Sequence, residues 1–323
     1  MTSPVETEEN VPRSGRIFVA GHRGLVGSSL VRALHEKGYS NILTCSREQL
    51  DLTKAVEVER YFAVEKPEYL IIAAARVGGI VANESRPVDF LRDNLLIQTN
   101  LLDAAHRFGV TKTVFLGSSC IYPRMAPQPI TEDALLTGPL EPTNQWYAIA
   151  KIAGIRLAQA YHQQYGMRVI SLMPTNLYGP GDNFDPLSSH VLPALLRKFH
   201  EAKAASLPVV SVWGTGSPRR EFLHVDDLAD AVLVLLQNYE SPEIINVGAG
   251  KDISIRELSS LIQQIVGYQG SVEFDTSRPD GTPRKVLDMS RMTALGWSPR
   301  VGLREGIAET YRWFAASPYA AGV

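Results

Sequence analysis

RIFVAGHRGLVG, residues 16–27, decides the fold. An apolar run, Ile17 to Ala20, stops at a glycine, and further glycines follow at positions 24 and 27. The first glycine permits a tight turn, the second lets a diphosphate approach the backbone, and the third lets the next helix pack against the strand. From Leu25 to Lys37 the apolar spacing is helical, with Gly38 placed to end it. A strand, a glycine turn and a helix N-terminus together make a cradle for phosphate.

The same alternation continues outward. NILTCS (41–46), YLIIAAA (69–75), KTVFLGS (112–118) and RVISLMP (168–174) read as further strands. Helical patterns separate them over 52–65, about 87–108 and 146–165, with Pro87 suited to a first turn. This order predicts an α/β fold, a doubly wound parallel Rossmann sheet. Beyond Pro174 the pattern loosens into turns, a helix near 189–204, a strand at 209–214, a helix from Val225 and a strand at 243–248. Ser254 and Glu257 form a capping box for another helix, and Asp226 and Asp227 read as caps for theirs. The division predicted is a disordered tail over 1–14, a nucleotide-binding domain over 15–180 plus about 218–250, and a smaller C-terminal α/β substrate lobe over about 181–217 plus 251–323. A ligand belongs between the two, outside the carboxyl ends of the strands.

Bulk properties narrow the function. The 323 residues are 45% apolar and 20% charged, with a formal charge of −2, which speaks against nucleic acid as a main partner. Cys45 and Cys120 build no disulfide framework and lack the company of a structural metal site, so no metal is expected. The N-terminus lacks the apolar core of a secretory signal, and no run approaches a membrane span; a cytosolic protein with no membrane partner is expected.

The turn formed by Gly21, His22, Arg23, Gly24, Leu25, Val26 and Gly27 predicts a dinucleotide site. Which dinucleotide follows from the second strand, which ends Cys45-Ser46-Arg47 without the acid that holds an unphosphorylated ribose. Arg23 and Arg47 suit a 2′-phosphate, so NADP(H) is the expected cofactor. Glu48 comes one residue late and is expected to face solvent; Asp51 and Leu52 are placed for the adenine edge.

Tyr147 and Lys151, four apart in YAIAK, share one helix face. A nearby ammonium favours ionisation of a phenol and eases proton transfer. Ser118, at the end of the preceding strand, offers a hydroxyl to a carbonyl oxygen. Two residues on stands Cys120, which the residues alone leave open between core filler and chemistry.

The chain resembles the extended short-chain dehydrogenase/reductases acting on nucleotide sugars, from Ile17 to about Phe314. The motifs that carry the resemblance are GHRGLVG, VGGI (77–80), LGSSCIYP, EPTN, YAIAKIAG, MPTNLYGPGDNF, SHVLPAL, REFLHVDD and RPDGTPRK. It implies NADPH-dependent 3,5-epimerisation and then 4-keto reduction of a GDP-4-keto-6-deoxymannose. It assigns Ser118, Tyr147 and Lys151 to the reductase triad, and Cys120 and His190 to proton exchange at C3 and C5. It also places Leu116, Gly117, Lys151, Pro174, Thr175, Asn176, Leu177 and His190 along the cofactor, and Lys198, Trp213, Arg220 and Asp280 on the GDP-sugar. Lys198 stands where arginine is common, Gln145 where glutamate is frequent, and Asp185 where histidine is common.

Three rivals share part of this pattern. A 4,6-dehydratase needs an Asp-Glu pair after its serine or threonine, which Ser119-Cys120 does not supply. A simple 4-epimerase needs no cysteine–histidine pair and usually recycles tightly held NAD. A non-catalytic NADP sensor has no use for an intact triad. The helices near 90–108 and 146–165 carry apolar residues on more than one face, including Leu95, Leu101, Leu102 and Ala105 on the first and Ile149, Ala153, Leu157 and Tyr161 on the second. A homodimer through a four-helix contact is the expected assembly.

Overall fold

A computed structural model describes residues 10–186, 188–278 and 280–320. Alternation sets the first half: β1 (Ile17–Ala20), α1 (Leu25–Glu36), β2 (Ile42–Leu43), α2 (Ala55–Glu65), β3 (Tyr69–Ile72), α3 (Ile80–Ser85), α4 (Pro87–Arg107), β4 (Lys112–Leu116), α5 (Gln145–Tyr165) and β5 (Val169–Pro174). The chain then leaves this sheet through β6 (Asn176–Tyr178), α6 (Val191–Ala204), β7 (Val209–Trp213) and β8 (Arg219–His224). It returns with α7 (Val225–Asn238) and β9 (Ile245–Val247). It closes with β10 (Asp252–Ser254), α8 (Ile255–Val266), β11 (Ser271–Asp275), β12 (Arg284–Lys285), α9 (Ser290–Ala294) and α10 (Leu303–Ala315).

The main sheet runs β2-β1-β3-β4-β5-β9 with every pair parallel, which is the doubly wound Rossmann arrangement expected. Its strands are apolar on both faces because helices cover both. One face buries Phe62, Leu101, Leu102, Phe115 and Ile155 against α2, α4 and α5. The opposite face buries Leu30, Leu34, Val232 and Leu236 of α1 and α7. A third core, with Leu195, Phe199, Leu258, Ile262, Ile307 and Phe314, joins α6, α8 and α10 in the C-terminal α/β elements. Strand order reverses between β1 and β3, and the crevice outside their carboxyl ends is where such sheets bind ligands.

Several local expectations change. The strand expected at 41–46 is only Ile42–Leu43, and α3 has no counterpart in the sequence reading. Strand β8, which the sequence reading does not predict, pairs with β6, β10 and β12 in a second sheet. Most of the expected tail, 1–9, lies outside the described residues. Within 10–14, Val11 is buried and Asn10 donates to the Gln237 carbonyl at 2.5 Å.

Asp226 and Asp227 are not caps. His224 caps α7, its ring accepting from the Asp226 backbone at 3.3 Å. Asp226 instead accepts from Ser29 (2.5 Å) and Arg32 (2.6 Å), while Asp227 accepts from the Arg300 and Val301 amides at 3.0 Å each. The Ser254–Glu257 capping box is present as expected.

Candidate functional site

The cofactor end is built on backbone geometry. Gly21 has φ +91°, and a Cβ there would meet Ala74 at 2.7 Å. At Gly27 a Cβ would lie 2.1 Å from the Gly21 carbonyl oxygen, so the first turn of α1 sits directly on the glycine turn. Gly24 caps α1, and no acid occupies the helix's first turn. The free amides of that turn and the positive end of the helix therefore face the crevice, which fits a diphosphate.

At the far side of this turn Arg23 and Arg47 are exposed. Glu48 is solvent-facing, as expected, yet it comes within 3.6 Å of Arg23. The pair is exposed and screened, so it holds the Arg23 side chain only weakly. His22 is bonded to the Cys45 backbone, and burial with the Arg23 charge lowers its imidazole. Asp51 accepts from the Thr53 amide (3.0 Å) and hydroxyl (2.7 Å), which fixes the loop that carries Leu52. Asn100 holds the Leu52 carbonyl at 2.9 Å.

Beyond β4 the chain turns sharply. Gly117 donates to the Leu172 carbonyl at 2.8 Å, and a Cβ on it would strike Met173. Ser118 then caps a single 3-10 turn, its hydroxyl accepting from the Cys120 amide at 3.2 Å. Tyr147 and Lys151 face this turn from α5. Lys151 is buried, donates to the Leu116 carbonyl at 2.7 Å, and lies 5.9 Å from the Tyr147 ring centroid.

Loss of hydration pulls the Lys151 ammonium down to about 7. The Tyr147 phenol moves the other way: burial and the Cys120 charge raise it, and the bond to Ser118 opposes them. Burial therefore governs both groups. The ammonium stands over the ring and is tied to a carbonyl, and desolvation dominates. A phenol held neutral is a proton donor, which is the state a carbonyl oxygen requires.

Cys120 sits among groups that the sequence reading gave no role. Asn144 donates to its sulfur at 3.3 Å and Lys285 at 3.6 Å. His190, the residue before α6, keeps an exposed edge, yet desolvation by its surroundings, and then the Lys285 charge, lower its imidazole. Arg220 is pulled down by desolvation against Glu141, Asp280 and Cys120. The structure thus gathers Ser118, Cys120, Tyr147 and Lys151, and the Lys285 charge is felt at His190.

The residues assigned to the GDP-sugar come from α6 (Lys198), the end of β7 (Trp213), β8 (Arg220) and the loop before β12 (Asp280). Asp280 accepts from the Thr215 amide (2.7 Å) and hydroxyl (2.9 Å), so its carboxylate first fixes the turn after β7. Arg220 donates to the Asp280 carbonyl at 3.4 Å. Trp213 is exposed at the end of β7, with the Arg278 guanidinium 4.9 Å from its ring. Lys198 donates to the Ser211 carbonyl at 2.7 Å.

Glu221, unassigned by the sequence, links the two halves. Its carbonyl accepts from Thr175 (3.3 Å) and Asn176 (2.8 Å), and its carboxylate from the Gly250 (2.6 Å) and Leu287 (3.0 Å) amides. Pro174, the last residue of β5, and Leu177, the middle residue of β6, flank that contact.

A profile of the NAD dependent epimerase/dehydratase family matches residues 17–248. The chain belongs to that family. This epimerase/dehydratase chain is 58% identical over 303 residues to the probable GDP-L-fucose synthase 1 of Oryza sativa subsp. japonica, covering 94% of this chain and 92% of that one. A GDP-6-OMe-4-keto-L-xylo-heptose reductase from C. jejuni superposes with a TM-score of 0.90 at 36% identity, over 94% of this chain and 98% of the other. A GDP-L-fucose synthetase from Naegleria fowleri bound to NADP gives 0.87 at 30% identity, over 94% and 95%.

Proposed function

We propose that the chain is a GDP-L-fucose synthase, an enzyme that converts GDP-4-keto-6-deoxymannose to GDP-L-fucose by 3,5-epimerisation and then NADPH-dependent reduction. The relatives named above support the substrate class and the NADP cofactor. The observation that carries the two-step reading is the placement of Cys120 two residues after Ser118, on the same turn that faces Tyr147.

The chemistry follows from a single polarised carbonyl. A 4-keto group acidifies hydrogens on C3 and C5. Cys120 takes one of these protons: the C–H bond breaks, its electron pair passes into O4, and the sulfur gains the proton. Tyr147 and Ser118 hydrogen-bond the developing oxyanion. His190 returns a proton to the opposite face, inverting the centre; its lowered imidazole makes the imidazolium a stronger acid. Exchange with water resets the thiol and the imidazole.

In the second step Tyr147 protonates O4 while C4 is reduced. Gly21 to Gly27, Arg23, Arg47, Asp51, Leu52, Leu116, Gly117 and Pro174 to Leu177 hold the cofactor, which supplies the hydride when bound. Lys151 holds the nicotinamide ribose and steadies the tyrosine ring. Lys198, Trp213, Arg220 and Asp280 bind the GDP-sugar, so the first half carries the cofactor and the C-terminal elements carry the substrate.

In D₂O without NADPH, deuterium is expected to enter C3 and C5 of GDP-4-keto-6-deoxymannose, and GDP-L-fucose is expected only when NADPH is added. Cys120→Ser is expected to lose exchange by about 10²-fold or more, the scale of a removed general base. Exchange at the wild-type rate in that variant overturns the role given to Cys120.

Two wider parts of the proposal rest on the surface. The described residues include no helix long and apolar enough to cross a membrane, and both thiols are unpaired, which suits the cytosol. On α4 and α5, Leu101, Leu102 and Ala105 belong to the core, whereas Val88, Leu96, Trp146, Ile149 and Tyr165 are exposed. These outward apolar residues support a homodimer through four helices. Sedimentation at micromolar concentration is expected to give a dimer, and a monomer alone rejects it.

A further inference from the structure

The sulfur of Cys120 receives two N–H donors, from Asn144 at 3.3 Å and Lys285 at 3.6 Å. A neutral thiol is a weak acceptor, while a thiolate accepts strongly and is stabilised by adjacent cations. Lys285 makes no ion pair with a carboxylate among the described residues. Its position is set by β12, a two-residue strand whose register pairs Lys285 with Arg220 of β8. A side chain proposed for the GDP-sugar and one aimed at the sulfur therefore stand side by side on adjacent strands. The small cavity before them is lined by Cys120, Asn144, Glu141, Thr282 and Lys285.

We propose that Lys285, aided by Asn144, holds the Cys120 sulfur as a proton acceptor and is the positioning residue of the epimerising step. The proposal rests on the reading of Cys120 as the epimerase base and adds the group that makes it one. Lys285 donates to the sulfur, so the proton taken from C3 or C5 arrives at a site with a fixed lone-pair direction and a compensating charge. When the sulfur is protonated, the charge it offered to Lys285 disappears, and the proton passes on to water.

Other charged and titratable groups face the same sulfur. Tyr147 on α5 and Arg220 on β8 both feel its charge. Glu141, ahead of α5, is engaged by Arg124 at 3.2 Å and by Thr282 at 3.3 Å. His190, ahead of α6, feels the Lys285 charge. Of these groups, only Lys285 brings a cationic donor to the sulfur itself.

The test reads the thiol directly. The full-length protein is treated with iodoacetamide across pH 5–10, and alkylation of the Cys120 peptide is followed by mass spectrometry, which separates it from Cys45. Lys285→Met is expected to move the alkylation midpoint up by about one pH unit, a tenfold loss of reactive thiolate near neutrality. Lys285→Arg is expected to restore most of it, and it serves as the folded control should the methionine variant fail to fold. Deuterium exchange into the sugar without NADPH is expected to fall with the same rank order.

A methionine variant that alkylates with the wild-type profile overturns the proposal, as does an arginine variant no better than methionine. If Cys120→Ser keeps full exchange while Lys285→Met still shifts alkylation, the epimerase reading of Cys120 fails and the Lys285–thiol coupling stands.

Discussion

Tyr147→Phe is expected to lower NADPH-dependent reduction by about 10²–10⁴-fold, the range for loss of a positioned proton donor. The substitution removes one hydroxyl and leaves the ring that packs 5.9 Å from Lys151, so the fold and the lysine are preserved. It also leaves Ser118 as the remaining donor for O4. Because one oxyanion serves both steps, deuterium exchange in the absence of NADPH is expected to fall as well. Stopped-flow absorbance of NADPH measures the first effect and mass spectrometry of the sugar the second. Reduction within threefold of wild type would falsify the role of Tyr147 as proton donor. Loss of reduction with undiminished exchange shows instead that a different group polarises O4 during epimerisation.

Gly27→Ala is expected to weaken NADPH binding by about 10–100-fold and to lower the melting temperature. The added Cβ would lie 2.1 Å from the Gly21 carbonyl oxygen and 2.6 Å from its carbon. Backbone cannot yield there as a flexible side chain does, so α1 must move away from the turn that its N-terminus covers. Overpacking of this kind costs about 1–3 kcal/mol, and each 1.4 kcal/mol is tenfold in affinity. Gly24→Ala is the control, because its Cβ would find the nearest atom at 3.5 Å, an ordinary contact. That variant is expected to keep the wild-type melting temperature. Titration of NADPH fluorescence and thermal melts of both variants decide the matter; an unshifted melt for Gly27→Ala removes the steric argument.

What the sequence could and could not disclose has physical reasons. The glycine turn and the Ser254 box were legible because each is made by residues within a few positions of one another. The α5 pair Tyr147 and Lys151 was legible for the same reason, since helix periodicity alone puts them on one face. Strand β8 has no counterpart in the sequence reading, because its partners β6, β10 and β12 are chosen by packing over distances that no local pattern reports.

At the start of α7, acids in the first turn resemble caps; the residue that caps is His224, and the acids serve Arg32, Ser29 and the 300–301 amides. Lys285 was quoted within RPDGTPRK without a role. It meets Cys120 across a separation of 165 residues, and only the β8–β12 register reveals that meeting. The burial that acts on Tyr147 and Lys151 is likewise hidden from the sequence, because four-residue spacing reports proximity and not desolvation.

The return of β9 to the main sheet has a consequence for how the chain is made. β9 lies against β5, with Leu172 opposite Ile245 and Pro174 opposite Val247, and residues 175–244 come between. During synthesis the open edge of β5 therefore waits until that whole excursion has left the ribosome. Unpaired apolar edges invite association with other chains. For a nascent chain of this topology, the exposed interval of translation is the one in which β6 to α7 are being written and the first sheet cannot yet close.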